Sequence, residues 1–305
     1  MSPLPMTSLS RRQILRGGAA VSAGGLLAQT SPVRGETRGA ERHRVRQSIV
    51  HWCWRSRGWS IEHTCAAARD LGCRSVELVG PEDWPTLKEY GLVCAISGSH
   101  GFVKGMNHRA HWEECMAKMR ESIDATADAG FFSVITFTGF AESPEPGVGA
   151  VDLETGFQNC VEGYKQIVGH AEKRRVTLCL EHLNSRVDEE MKGHPGYQGD
   201  HIDYCARIVR AVGSPRLKLL FDIYHVQIMD GDVIRRLEEH RELLGHIHTA
   251  GNPGRRELDD QQEIQYAPIM RKLVELGYEG FVGQEFIPTG DPLEGLAAAV
   301  RLCDV

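Results

Sequence analysis

The chain has 305 residues, 41% of them hydrophobic and 25% charged, with a formal net charge of −6. That length carries one sizeable core, and the composition is that of a loop-rich soluble α/β enzyme. The acidic balance excludes a phosphate-backbone partner, whose affinity comes from clustered Lys and Arg, so no nucleic acid is expected. A small anionic ligand stays open, since it needs one or two local cations. The nine cysteines include no Cys-x-x-Cys pair and their number is odd. They read as small core residues of a chain folded in reducing surroundings, not as a disulfide framework or a zinc knuckle.

The first 36 residues are a separate piece, a signal peptide and tether. Ser10-Arg11-Arg12-Gln13-Ile14-Leu15-Arg16 resembles the twin-arginine export motif, and a glycine- and alanine-rich run from Gly17 to Ala28 follows it. That run is too short and too glycine-rich to be a membrane span. The motif implies that the folded chain is exported to the periplasm, with the export machinery as a transient partner. A basic tail on a cytoplasmic enzyme is the alternative.

From Gln47 to Cys303, short apolar runs alternate with longer amphipathic ones, which is the α/β pattern. Eight strands are expected, at 48–54, 75–79, 93–97, 133–138, 177–183, 218–224, 245–249 and 281–286. The longer helical stretches between and after them are 61–71, 112–129, 153–173, 202–211, 233–240, 266–276 and 293–302, with only a turn or two of helix at 82–90. Leu71-Gly72, Ala129-Gly130 and Leu276-Gly277 are helix-stop signals just before a strand. Eight strand–helix units without a long linker predict a single TIM (β/α)8 barrel preceded by the export leader.

Four late strands end in metal-ligating side chains. LCLEHLN, LLFDIYH, GHIHTAG and VGQEF supply Glu181, Asp222, His248 and Glu285, spaced 41, 26 and 37 residues apart. On successive parallel strands they converge only if the sheet closes, with the ligands near its C-terminal rim. Three carboxylates and an imidazole without thiolate predict one divalent metal ion. Mg²⁺ and Mn²⁺ are favoured, and Co²⁺ and Zn²⁺ also fit. A lone strand-end Glu is as often a structural ion pair; four such groups in series argue for the site.

The body resembles the xylose isomerase-like barrel superfamily, and within it the hydroxypyruvate isomerase family. The resemblance rests on LEHLN, on FDIYHVQ with Asp222 and His225, on GHIHTAGNPGR with His248 and Arg255, on Glu263-Ile264-Gln265-Tyr266, and on GQEF. It implies that Glu181 and Glu285 both bind metal and exchange protons with substrate. It further implies that Asp222 and His248 complete the metal shell and that His225 touches substrate. Where hydroxypyruvate isomerases carry Gln this chain has His248, as in the related ketose 3-epimerases. A ketose 3-epimerase or an inosose dehydratase-like enzyme is therefore the alternative, and a non-catalytic sugar-binding barrel the third reading.

The chemistry stands without the name. Moving a carbonyl to the adjacent carbon of a small hydroxy-carbonyl or sugar substrate requires lifting a carbon-bound proton and returning one next door. A carboxylate in reach takes the proton, and a metal grip stabilises the enediolate. Arg255, after Pro253-Gly254, is placed to fork onto a substrate carboxylate. Weaker candidates are His51, Trp52 and His100 at the mouth, His182 on the opposite face of its strand from Glu181, and a polar loop after the fifth strand through Asn184 to Tyr197. Homo-oligomerisation is left open by the sequence.

Overall fold

The computed structural model describes residues 45–305; the stretch 1–36 read as an export leader lies outside them. Seven strands form one parallel sheet: β1 Arg46–Val50, β2 Ser75–Glu77, β3 Ser133–Phe137, β4 Thr177–Glu181, β5 Leu217–Asp222, β6 Leu244–Thr249 and β7 Phe281–Gln284. Their order is β2-β1-β7-β6-β5-β4-β3. The two edges, β2 and β3, are joined through residues 93–97. Val93 bridges to Ser75, and Ser97 to Val134, both in parallel.

The expected strand at 93–97 is thus two isolated bridges. The cause is local. The Ala95 amide donates to the Ser75 hydroxyl at 2.9 Å, and the Cys94 thiol turns back on Ile96 O. Side chains take the groups that a continuous ladder would need. The sheet still closes, because Ser97 N donates to Ser133 O and Ile135 N to Ser97 O.

The eight outer helices lie at the expected places within a few residues, including the short one at Trp84–Glu89. Their ends follow sequence chemistry. Ser60, Asp152 and Asp291 accept hydrogen bonds from amides of the first turn, and Gly213 closes its helix with φ 73°. Among the described residues no helix is long and apolar enough to cross a membrane.

Two strands expected to run on instead break into short helices. β1 stops at Val50 before the helix His51–Arg55, and β5 stops at Asp222 before Ile223–Met229. At the second break the Asp222 carboxylate caps the helix, with Oδ1 accepting from the amides of Tyr224 (2.8 Å) and His225 (3.3 Å). Continuing the strand would leave that buried oxygen without donors.

Strand periodicity divides the core and places the site. Leu178 and Leu180 on β4, Leu219 and Phe221 on β5, and Ile247 on β6 join the layer between sheet and helices. Cys179 and Leu220 face the barrel interior. With a repeat of two, the next inward positions toward the C-terminal ends are Glu181, Asp222 and His248. Register aligns them, since Asp222 pairs with His248 and Glu181 with Leu220.

Candidate active site

The four expected ligands meet at one point. Glu181, Asp222, His248 and Glu285 each offer a ligand atom, all within 4.8 Å of one another, and all four residues are buried. Three of the polar atoms there have no hydrogen-bond partner: Glu181 Oε1, Asp222 Oδ2 and His248 Nδ1. His248 Nδ1 lies 2.8 Å from Glu285 Oε2 but out of line for a hydrogen bond, and 3.7 Å from Glu181 Oε1.

The two glutamates sit in opposite electrostatic settings. Glu285 receives the Trp52 indole N–H on Oε1 at 3.1 Å and the Arg255 guanidinium on Oε2 at 2.6 Å. Burial would raise its pKa, but Arg255 and His248 reverse this and hold it well below the usual carboxylate range. Glu181 has no such cation. Burial and the neighbouring Glu285 charge push it up to about 7, against the opposing pull of His248. Burial likewise raises Asp222 to about 6, with Arg255 working against it. Environments that separate two carboxylates in this way also separate their acid and base roles.

His248 is held at both ends. Burial would lower its pKa, but the carboxylates of Glu285, Glu181 and Glu77 raise it well above the ordinary value. Glu77, at the end of β2, accepts from Nε2 of both His248 and His246 on the same oxygen, each at 3.0 Å. Burial of Glu77 is more than offset by these imidazoles, and its pKa falls to about 2. Sequence reading missed Glu77 and His246. The available signal was a carboxylate inside the apolar run SVELV, of the same kind as the one in LCLEHLN.

Arg255 was expected to face substrate. Its guanidinium lies on Glu285, with Asp222 Oδ2 at 3.5 Å, and donates to Met191 O at 2.6 Å. It still lines the mouth cavity of about 240 Å³, beside Trp52, Phe102, His194, Glu181 and Glu285. Its backbone is left-handed, with φ 52°. A non-glycine residue held there costs about 1–2 kcal/mol, strain of a kind concentrated at functional loops.

His225 is fully buried behind Asp222 and is not among the residues that line this cavity. Its Nδ1 accepts from the Asn184 side-chain amide at 2.7 Å, so Nε2 carries the proton, 3.6 Å from Asp222 Oδ2. Of the weaker candidates, Trp52 reaches the site. His51 is tied to Thr64, and His100 bonds Thr136 and the Lys104 carbonyl. The loop after Glu181 covers the mouth through Met191 and His194. His182 packs against Phe221, outside the barrel interior.

A model of the family described as "Xylose isomerase-like TIM barrel" matches residues 65–303. The chain is 35% identical over 146 residues to a mouse protein named "Putative hydroxypyruvate isomerase", covering 48% of this chain and 50% of that one. It is 36% identical over 121 residues to a "2-oxo-tetronate isomerase" of Cupriavidus necator, covering 40% and 44%. The matched stretch thus spans about half the length of these curated relatives. Among solved structures, one titled AP endonuclease, family 2, from Brucella melitensis superposes with a TM-score of 0.68 at 24% identity, over 79% of this chain and 93% of that one. At that identity the likeness shows the fold alone.

Proposed function

This chain belongs to the xylose isomerase-like TIM barrel family, and we propose that it is a divalent-metal-dependent isomerase of a small hydroxy-keto acid. The reaction is of the type that interconverts hydroxypyruvate and tartronate semialdehyde. One observation carries the reading: Glu181 Oε1, Asp222 Oδ2 and His248 Nδ1 are buried without hydrogen-bond partners and converge with Glu285 within 4.8 Å. A buried polar atom left unpaired costs about 1–3 kcal/mol. Aiming several at one point is what a bound cation would offset.

The donor set fits a hard ion such as Mg²⁺ or Mn²⁺, and the imidazole also admits Co²⁺ or Zn²⁺. When bound, the ion supplies Lewis-acid polarisation of the carbonyl and hydroxyl oxygens of an α-hydroxy carbonyl compound. The protein supplies the proton chemistry. Glu181, which Arg255 does not pair as it pairs Glu285, lifts the carbon-bound proton and returns one to the neighbouring carbon. Glu285, locked by Arg255 and Trp52, stays ionised and holds its ligand geometry. Arg255, the one Lys or Arg lining the cavity, faces the substrate's carboxylate. Phe102, Leu183 and Met191 give the cavity an apolar lining. The names of the relatives, hydroxypyruvate isomerase and 2-oxo-tetronate isomerase, support this substrate class.

The test uses protein stripped of metal, assayed with hydroxypyruvate in deuterated water while Mn²⁺ or Mg²⁺ is returned. Activity should depend on the ion, product should carry deuterium at one carbon, and Glu181→Gln should abolish both. Undiminished turnover after complete chelation would overturn the reading. The sequence of residues 1–36 further supports export by the twin-arginine route. Fractionating cells that make the chain, with and without Arg11→Lys and Arg12→Lys together, checks this.

A further inference from the structure

Of the four converging ligands Glu77 pairs with His248, and its carboxylate is wholly buried at the end of β2. One oxygen, Oε1, accepts from two imidazoles, His246 Nε2 and His248 Nε2, each at 3.0 Å. The two histidines are two residues apart on β6 and so share the inward face. A carboxylate can only accept here, so both rings must present Nε2–H. For His248 this leaves Nδ1 as the nitrogen turned toward Glu181, Asp222 and Glu285.

The arrangement is built into the backbone. A Cβ at position 283 on β7 would lie 2.2 Å from Glu77 Oε1 and 2.9 Å from His248 Cδ2. Only glycine lets the carboxylate and the ring lie together against that strand. His248 and Gly283 are register partners, so the space is opened beside the ring that needs it.

We propose that Glu77 is the positioning residue of the metal site: by accepting the Nε2–H of His248 it fixes the ring's orientation and tautomer so that Nδ1 faces the ion. This rests on the metal reading above. Glu77 itself touches neither ion nor substrate. Its charge also makes the imidazole a stronger donor, and removing such a partner typically weakens metal binding about 10- to 100-fold. His246 shares the same oxygen but has no path of its own to the ligand cluster.

The experiment titrates Mn²⁺ into the chelator-stripped full chain, following free ion by its paramagnetic resonance, in wild type, Glu77→Gln, Glu77→Met and His246→Gln. In parallel, long-range proton–nitrogen spectra of zinc-loaded, ¹⁵N-histidine-labelled protein report the His248 tautomer, assigned through His248→Asn. The expected order is wild type tightest, Glu77→Gln weaker by up to about 10-fold because its amide oxygen still accepts, and Glu77→Met weaker by about 100-fold. His246→Gln should stay within about 3-fold of wild type, since it leaves the Glu77–His248 bond in place.

The His248 Nε2–H signal should persist in Glu77→Gln and be lost or shifted in Glu77→Met. Wild-type affinity and an unchanged His248 signal in Glu77→Met would overturn the proposal while leaving the metal site standing. A His246→Gln loss as large as that of Glu77→Met would reduce Glu77 to a core contact and overturn it too. Two ions in wild type, one of them lost in Glu77→Met, would make Glu77 a ligand and not a positioning group. No ion bound by wild type would bring down the metal reading itself, a result distinct from the others. Should Glu77→Met fail to fold, Glu77→Gln decides: a loss of about 3- to 10-fold, larger than that of His246→Gln, supports the proposal, and wild-type affinity overturns it.

Discussion

Arg255 Nη2 lies 2.6 Å from Oε2 of Glu285, and both side chains are almost wholly buried. The pair holds one of the two mouth glutamates as a carboxylate and leaves the other, Glu181, without a guanidinium partner and 3.7 Å from His248 Nδ1. Removing the guanidinium while keeping bulk isolates this effect. Arg255→Met should destabilise the metal-free protein by about 3–5 kcal/mol, the cost of stranding a buried charge. Urea unfolding of stripped wild type and variant measures it. A loss under about 1 kcal/mol would mean that water or His248 can replace the guanidinium.

Glu181 makes the complementary case, in which the site is held at the expense of stability. An unfolded Glu ionises near 4.5, whereas in the metal-free fold burial holds Glu181 to about 7. Between those values the folded state keeps a proton that the unfolded state has released, so this group's contribution falls as pH rises. The full span is worth about 3 kcal/mol. Stripped Glu181→Gln should therefore match wild type at pH 4.5 and exceed its stability by up to about 3 kcal/mol at pH 8. Comparing the two proteins cancels the titrating groups that do not interact with Glu181, among them His100, whose pKa burial lowers. A difference that does not grow with pH would show that Glu181 is solvated or already ionised in the fold.

Much of this was legible because strand periodicity and strand-end chemistry coincide. Glu181, Asp222, His248 and Glu285 each follow an apolar run, and a closed parallel sheet brings such positions together. The failures have physical causes. Asp222 was read as lying inside a strand, but its carboxylate caps a helix, and a cap overrides the apolar continuation through Ile223 and Tyr224. The strand at 93–97 dissolved into bridges because the Ser75 hydroxyl, 20 residues away, took its amide. The pairing of Arg255 with Glu285 was out of reach because sequence shows a loop arginine but not the acid it will meet. Glu77 was passed over because sequence shows a carboxylate in an apolar run but not the two imidazoles that close on it.

The cysteines give a direct check on the packing. All nine are free and buried, and burial pushes several thiols, including Cys65, Cys73 and Cys94, up to about 12. Such thiols are protonated and shielded at neutral pH, and only the thiolate reacts readily. An aromatic disulfide reagent at pH 8 should therefore label fewer than about one thiol per native chain within minutes, and all nine after guanidinium unfolding. Rapid native labelling of two or more would place a cysteine at the surface, against the packing described here.

Gly283 is the position where core packing and the site meet most directly. Its neighbours on β7, Val282 and Gln284, are buried, and both flanking strands are in register with it, Ser48 on β1 and His248 on β6. A methyl group there has no direction in which to relax, because the Glu77 carboxylate it meets is pinned by two imidazoles. Overpacking of this kind costs about 1–3 kcal/mol. Gly283→Ala should lower stability by that amount and weaken Mn²⁺ binding together with it, since the ring displaced is His248. Pairing it with Glu77→Gln separates the two effects: if the methyl acts by pushing the carboxylate off His248, the double variant should bind Mn²⁺ little worse than Gly283→Ala alone. Fully additive losses would mean that the methyl disturbs the ligands by a route that does not pass through Glu77.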